Sequence, residues 1–204
     1  LYDTVPDLQL YPTSAVAVVP IYNLPNHTAT DPPLVLAADV LADIFLTALT
    51  RWDDPRIVAT NPALVARGKL PVGPIQVIVR SSISGVTEMF RRSLAKFDNG
   101  SFAAEVGISA SASWGNASVL TCASTYGGTS PCVLRTPLSI GYALLTDVLE
   151  LSLPAASIAH EGGAAVSATT SSIADALIEF GGRFGNDGSD SRRLTMDITG
   201  ARSA

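Results

Sequence analysis

The segment Ile75–Phe90, Ile-Gln-Val-Ile-Val-Arg-Ser-Ser-Ile-Ser-Gly-Val-Thr-Glu-Met-Phe, constrains this chain more than any other. Its β-branched apolar run predicts a strand that ends at Arg80. A hydroxyl-rich turn containing Gly85 follows, and then an amphipathic helix to about Phe97. Val86, Met89, Phe90, Leu94 and Phe97 recur at helical spacing and are expected to face the core, with Arg91, Arg92 and Lys96 on the other side. A strand feeding a Ser-Gly-x-Thr helix start gathers free backbone N–H groups, the hydroxyls of Ser84 and Thr87 and the positive end of a helix dipole at one point. Arg80 can reach that point with a planar, permanently charged fork. Such a point holds a small oxyanion without a metal. The plainer alternative is a strand–turn–helix in which Ser84 only caps the helix and Arg80 faces solvent.

The chain has 204 residues, 47% of them hydrophobic and 15% charged, which describes a packed globular chain of one large domain or two small lobes. Its formal net charge is −5, and no basic stripe is present to neutralise phosphates, which argues against nucleic acid as a partner. No apolar run is long enough to span a bilayer. The best candidate, 33–50, is broken by Asp39 and Asp43 and reads as an amphipathic helix. The chain begins at Leu1 without a signal peptide, and is read as an excised or processed piece of a longer protein.

Cys122 and Cys132 stand in a Gly/Ser/Thr/Pro-rich stretch. A pair this close suggests a local disulfide, the alternative being two free thiols. Three glycosylation sequons begin at Asn26, Asn99 and Asn116. Together with a disulfide they favour an extracellular or cell-surface setting, with a periplasmic one as runner-up.

Along the chain, Ser14–Tyr22 reads as a strand covered on both faces, and 23–33 as a loop. Ala37–Leu49 reads as a helix, with Val40, Leu41, Ile44, Phe45 and Ala48 on one face. Asp54 before Pro55 is a helix start, and Asn61-Pro62 begins another short element. From Asp98 to Arg135 no period is sustained, and a long surface excursion carrying Trp114 and the cysteines is expected. Ser139–Ala143 is a short strand, followed by a short helix over 144–151. Ala174–Phe180 is a helix with Ile173, Ala176, Leu177 and Phe180 inward, stopped by Gly181-Gly182. A final short β-prone run covers 194–198. Alternating strands and helices make this an α/β chain.

Four stretches in order resemble the periplasmic phosphate-binding proteins of ABC phosphate transporters, the PstS type. They are Tyr11-Pro-Thr-Ser-Ala-Val-Ala-Val-Val-Pro-Ile-Tyr-Asn-Leu-Pro25, the helix and Trp52-Asp-Asp-Pro segment within 41–62, Arg80-Ser-Ser-Ile-Ser-Gly-Val-Thr87, and Ser139-Ile-Gly-Tyr142. Met196-Asp-Ile-Thr199 is a looser match. The resemblance implies a periplasmic-binding-protein-like lobe, with a central mixed sheet flanked by helices. It implies phosphate, or a similar oxyanion, held by Arg80, the Ser84 hydroxyl and the N–H groups of Gly85 and Val86, with Thr87 beside them. The sequence departs from the family pattern at Val86, where a Thr is usual, and at Ser82, where an Asp commonly orients the arginine; Thr87 is one place late. The family's first portion, with its Gly-rich loops and its carboxylate, precedes Leu1. The expected layout is one partial domain over 1–204, with 31–189 as the main lobe and 1–30 and 190–204 crossing toward the incomplete one.

Other constellations are weaker. His27 and His160 have no metal-ligand spacing around them and read as surface histidines, so neither a metal nor a cofactor is expected. Gly185–Asp190 lacks the spacing of a calcium loop. Asp53-Asp54 suits a helix cap, and Trp52 and Trp114 suit packing. No nucleophile elbow or Ser/His/Asp order is present, and the chain is not expected to be an enzyme. Two functions are carried forward. One is a non-catalytic module binding phosphate or a similar oxyanion. The other is a degenerate, glycosylated domain of the same fold, serving as a structural module among other extracellular chains.

Overall fold

The computed structural model of the chain describes residues 4–5, 14–98, 100–123, 128–160, 162 and 164–180. Residues 11–13, Asn99, 181–182, 185–190 and 194–199, on which expectations were placed above, lie outside that set.

The main sheet has four strands: β1 (Val18–Asn23), β3 (Gln76–Arg80), β4 (Leu120–Cys122) and β5 (Ser139–Leu144), in the order β1-β5-β3-β4. β3 runs parallel to both β4 and β5, and β1 is antiparallel to β5 over Val18–Asn23. Pro20 is tolerated in β1 because its missing N–H falls on the outer edge of the sheet. Residues 154–156 run along that edge, where Pro20 O accepts from the Ala156 N–H at 2.9 Å. A second sheet joins β2 (Val35–Ala37), β6 (Ser157–Ala159) and β7 (Ala165–Val166), with β2 parallel to β6 and β6 antiparallel to β7.

Helices cover the sheets. α1 (Ala38–Phe45) buries Val40, Leu41, Ile44 and Phe45, the face its periodicity marks out. α2 (Pro55–Thr60) starts where Asp54 accepts the Arg56 N–H at 2.9 Å with Pro55 at the first position. α3 (Pro62–Ala66) follows Asn61, which is 3% exposed. The Asn61 carboxamide accepts from Val35 N at 2.8 Å and donates to Val35 O at 2.7 Å, standing in for a neighbouring strand beside β2. The remaining helices are α4 (Gly85–Phe97), α5 (Ser101–Glu105), α6 (Ser130–Arg135), α7 (Leu145–Leu151) and α8 (Thr170–Phe180). α8 thus starts four residues before the expected Ala174, with Ala176 buried and Ile173 and Leu177 half-buried.

Three expectations are corrected. The described residues within 98–135 lie largely at the surface but are not a bare excursion: Phe102 of α5 and Trp114 are buried and β4 completes the main sheet. α4 is rotated from the face its hydropathy suggests, with Met89 42% exposed while Thr87 and Arg91 are fully buried beside Phe90 and Leu94. The histidines are half-buried: His27 Nε2 lies 3.2 Å from Tyr22 Oη and 3.0 Å from Pro32 O, and His160 stands edge-on to Phe97.

Candidate anion-binding site

Arg80 is the last residue of β3 and lies in a parallel part of the sheet, where ligands of α/β folds gather beyond the carboxyl ends of strands. The chain leaves β3 through 81–84 and enters α4 at Gly85. Ser84 is the N-cap, with extended backbone, and its hydroxyl makes no capping bond. Its N–H donates to Ala110 O at 3.0 Å, and its carbonyl accepts from Glu88 N at 3.1 Å. The N–H groups of Gly85, Val86 and Thr87 therefore form the free first turn of a 13-residue helix, which is where an anion is favoured.

Gly85 is exposed, and a Cβ built on it would meet nothing within 4 Å. Neither crowding nor a left-handed backbone calls for glycine there. What glycine provides is room for close approach to the backbone.

Arg80 is half-buried. Its Nε is enclosed without a hydrogen-bond partner, and no ion pair among the described residues involves it. Ser82, exposed, leaves the guanidinium without the expected carboxylate orienter. A Cβ built on Gly128 would stand 3.8 Å from Arg80 Nη1, and the Arg80 N–H donates to Tyr142 Oη at 3.4 Å.

The same Tyr142 hydroxyl lies 2.7 Å from Thr87 Oγ1. Thr87 is fully buried, so its side chain serves the core and only its N–H remains at the helix start. Burial raises the Tyr142 pKa, opposed by its bonds to Thr87 and Arg80. Its ring stacks on Phe90 at 4.5 Å, with Trp114 and Phe45 closing an aromatic floor under α4. Thr129 Oγ1 donates to Tyr142 O at 2.8 Å and accepts from Tyr142 N at 2.9 Å. Cys122 and Cys132 form a disulfide with Cα atoms 5.9 Å apart, joining β4 beside Arg80 to α6.

A family model described as a PBP superfamily domain matches residues 8–200. The chain belongs to the PBP superfamily. It is 34% identical over 169 residues to a phosphate-binding protein PstS of Methanocaldococcus jannaschii, covering 82% of this chain and 42% of that one. Among solved structures, it resembles an ancestral soluble variant of the human phosphate-binding protein, with TM-score 0.56, 19% identity, and 83% of this chain and 46% of that one covered. It also resembles a high affinity periplasmic phosphate-binding protein bound with phosphate, with TM-score 0.52, 20% identity, and 79% and 43% covered. The fold is PstS-like, and this chain spans less than half the length of each of these relatives.

In this PBP domain, Arg80, Ser84, Gly85 and Val86 cluster at one strand end and one helix start. The contact of Tyr142 with Thr87 and Arg80 was not legible in advance. Tyr142 was marked only as the end of the Ser139-Ile-Gly-Tyr stretch, which does not show that its hydroxyl meets Thr87. Among the described residues no group of three or more His, Cys, Asp or Glu is placed to hold a metal ion, and no helix is long and apolar enough to cross a membrane. Asn26 and Asn116 occupy exposed positions.

Proposed function

We propose that this chain is a non-catalytic lobe that binds phosphate or a closely similar oxyanion. In this reading Arg80 makes the charge-assisted contact and the Ser84 hydroxyl donates to one anion oxygen. The N–H groups of Gly85, Val86 and Thr87 receive the others at the positive end of α4. The observation that carries it is Arg80: a cation with an enclosed Nε lacking a partner, at the end of the strand that feeds the helix. A buried unpaired donor on a charged group is costly, and an anion between Arg80 and α4 would satisfy it.

The names of the PstS relatives support this reading, and the structural-module alternative finds no support in them. An extracellular or periplasmic setting fits the disulfide, the exposed Asn26 and Asn116 of two sequons and the periplasmic relative. The shell offered by this chain consists of donors from one lobe. Each charged hydrogen bond missing from a complete shell weakens binding by roughly 1.5–3 kcal/mol.

Calorimetric titration of inorganic phosphate into the chain and into Arg80→Ala tests the reading. Binding that is measurable below millimolar phosphate and disappears on substitution supports it. A folded wild-type chain giving no heat at millimolar phosphate overturns it.

A further inference from the structure

Arg91 lies two turns into α4 and is fully buried, yet no carboxylate pairs with it among the described residues. A cation placed this way must be held by dipoles and ring faces, an arrangement costly enough to call for a reason. Its Nη1 donates to Ser109 O at 3.1 Å and its Nη2 to Ser113 O, while its Cζ sits 4.4 Å over the Trp114 ring. These two carbonyls bracket Ala110. The Ala110 carbonyl is the group that accepts the Ser84 N–H at 3.0 Å.

The connection is thus physical and short. The flat fork of Arg91 fixes the backbone on both sides of Ala110, and Ala110 fixes the residue that caps α4. Ser84 makes no side-chain capping bond, so its backbone is held by two contacts, its carbonyl by the Glu88 N–H of α4 itself and its N–H by Ala110 O. The second is the one that reaches outside the helix. The orientation of Ser84 in turn aims its hydroxyl and the N–H groups of Gly85 and Val86. Arg91 also leaves a positive charge about 9 Å along the helix from Gly85, at 1.5 Å per residue, in an interior that screens poorly.

We propose that Arg91 is a positioning residue for the anion site, acting through the 109–113 loop on Ser84. This rests on the phosphate-binding reading of the same site. Arg91 makes no contact with the anion itself. An aliphatic side chain would fill the same space without holding the loop, and a lysine would keep the charge without the two-pronged, planar grip.

The test uses Arg91→Met and Arg91→Lys, read by amide hydrogen exchange at Ser84 and by phosphate calorimetry. In Arg91→Met the Ser84 amide is expected to exchange about tenfold faster, while Leu94 in the body of α4 keeps its protection, and the phosphate Kd rises about tenfold. Arg91→Lys is expected to show the same loosening at Ser84 with a smaller loss of affinity. Unchanged Ser84 exchange in a folded variant overturns the proposal. So does faster exchange with an unchanged Kd, which would leave Arg91 a purely structural residue. If Arg91→Met does not fold, Arg91→Lys decides on the same two readouts. A wild-type chain that binds no phosphate overturns the reading of the site instead, and the clamp on Ser84 then stands or falls on exchange alone.

Discussion

The hydroxyls of Thr87 and Tyr142 meet at 2.7 Å inside the protein, tying the first turn of α4 to β5. Tyr142 Oη also accepts the Arg80 N–H at 3.4 Å. One hydroxyl therefore touches both ends of the 81–84 turn, the end of β3 and the start of α4. The turn that carries the candidate site is anchored from below by a group that never faces solvent. An anion site gains from this, since donors held in place before the ligand arrives need no reordering on binding.

Removing that hydroxyl while keeping the ring isolates its contribution. Tyr142→Phe leaves Thr87 Oγ1 enclosed without a partner, and is expected to lower stability by about 1–3 kcal/mol in urea denaturation. Thr87→Val combined with Tyr142→Phe removes both polar groups and should cost less than the two single changes added together. Strict additivity of the two would mean that the bond contributes nothing specific.

Two glycines provide opposite expectations. A Cβ on Gly141 would stand 2.4 Å from Thr129 Oγ1 and 2.8 Å from Val133 Cγ2, where α6 presses on β5. Gly141→Ala is expected to destabilise by about 1–3 kcal/mol, the usual range for forced overpacking. Gly85→Ala meets no atom and removes the entropic disadvantage of glycine, so thermal unfolding should stay in place or rise slightly. Phosphate binding should nevertheless weaken, because the methyl group occupies the ligand's approach. A Gly85→Ala chain with full phosphate affinity would remove Gly85 from the site.

The local parts of this molecule were legible in its sequence. β1, β3, β5, α1 and α4 follow from apolar runs and 3.6-residue periods. Arg80, Ser84 and Gly85 fall together because they are nearly adjacent in the chain. What was hidden depends on distant partners. Arg91 is buried because Ser109 O, Ser113 O and Trp114 wait for it, and hydropathy alone places it outside and Met89 inside. Thr87 turns inward for a tyrosine 55 positions away. β2, β6 and β7 are too short to show a period, and β2 is completed by the side chain of Asn61. Residues 98–135 lack a repeat because single anchors, Phe102 and Trp114, fasten them to the core.

The Cys122–Cys132 bond closes a short loop, and its removal by Cys122→Ser with Cys132→Ser should lower stability by about 2–3 kcal/mol on the loop-entropy model. Cys122 lies opposite Arg80 in the β3–β4 pairing, and Cys132 is part of α6. The double variant is therefore expected to weaken phosphate binding as well. Urea midpoints and calorimetry separate the two effects. A loss of stability with unaltered affinity would show that the bridge braces the fold without shaping the site.

Acid should loosen a different part of the molecule. The Asp31 carboxylate accepts from Thr28 N and Thr28 Oγ1, both at 2.9 Å, and pairs with Lys69 at 3.2 Å. The Thr28 N–H bond is the largest cause of a pKa lowered to about 2 from an ordinary value of 3.8. The folded pKa lies below the unfolded one, so the stabilising effect of Asp31 is complete above 3.8 and is lost as pH falls toward about 2. The difference in urea midpoint between the wild-type chain and Asp31→Asn should be constant from neutral pH down to about pH 4.5 and then shrink steadily with acid. Added salt should reduce the share owed to Lys69, and to the more exposed Arg67 at 3.6 Å, at every pH above that window. A difference that persists unchanged down to about pH 2.5 would mean that the loop is held by the shape of the Asp31 side chain, which Asn shares, and not by its charge.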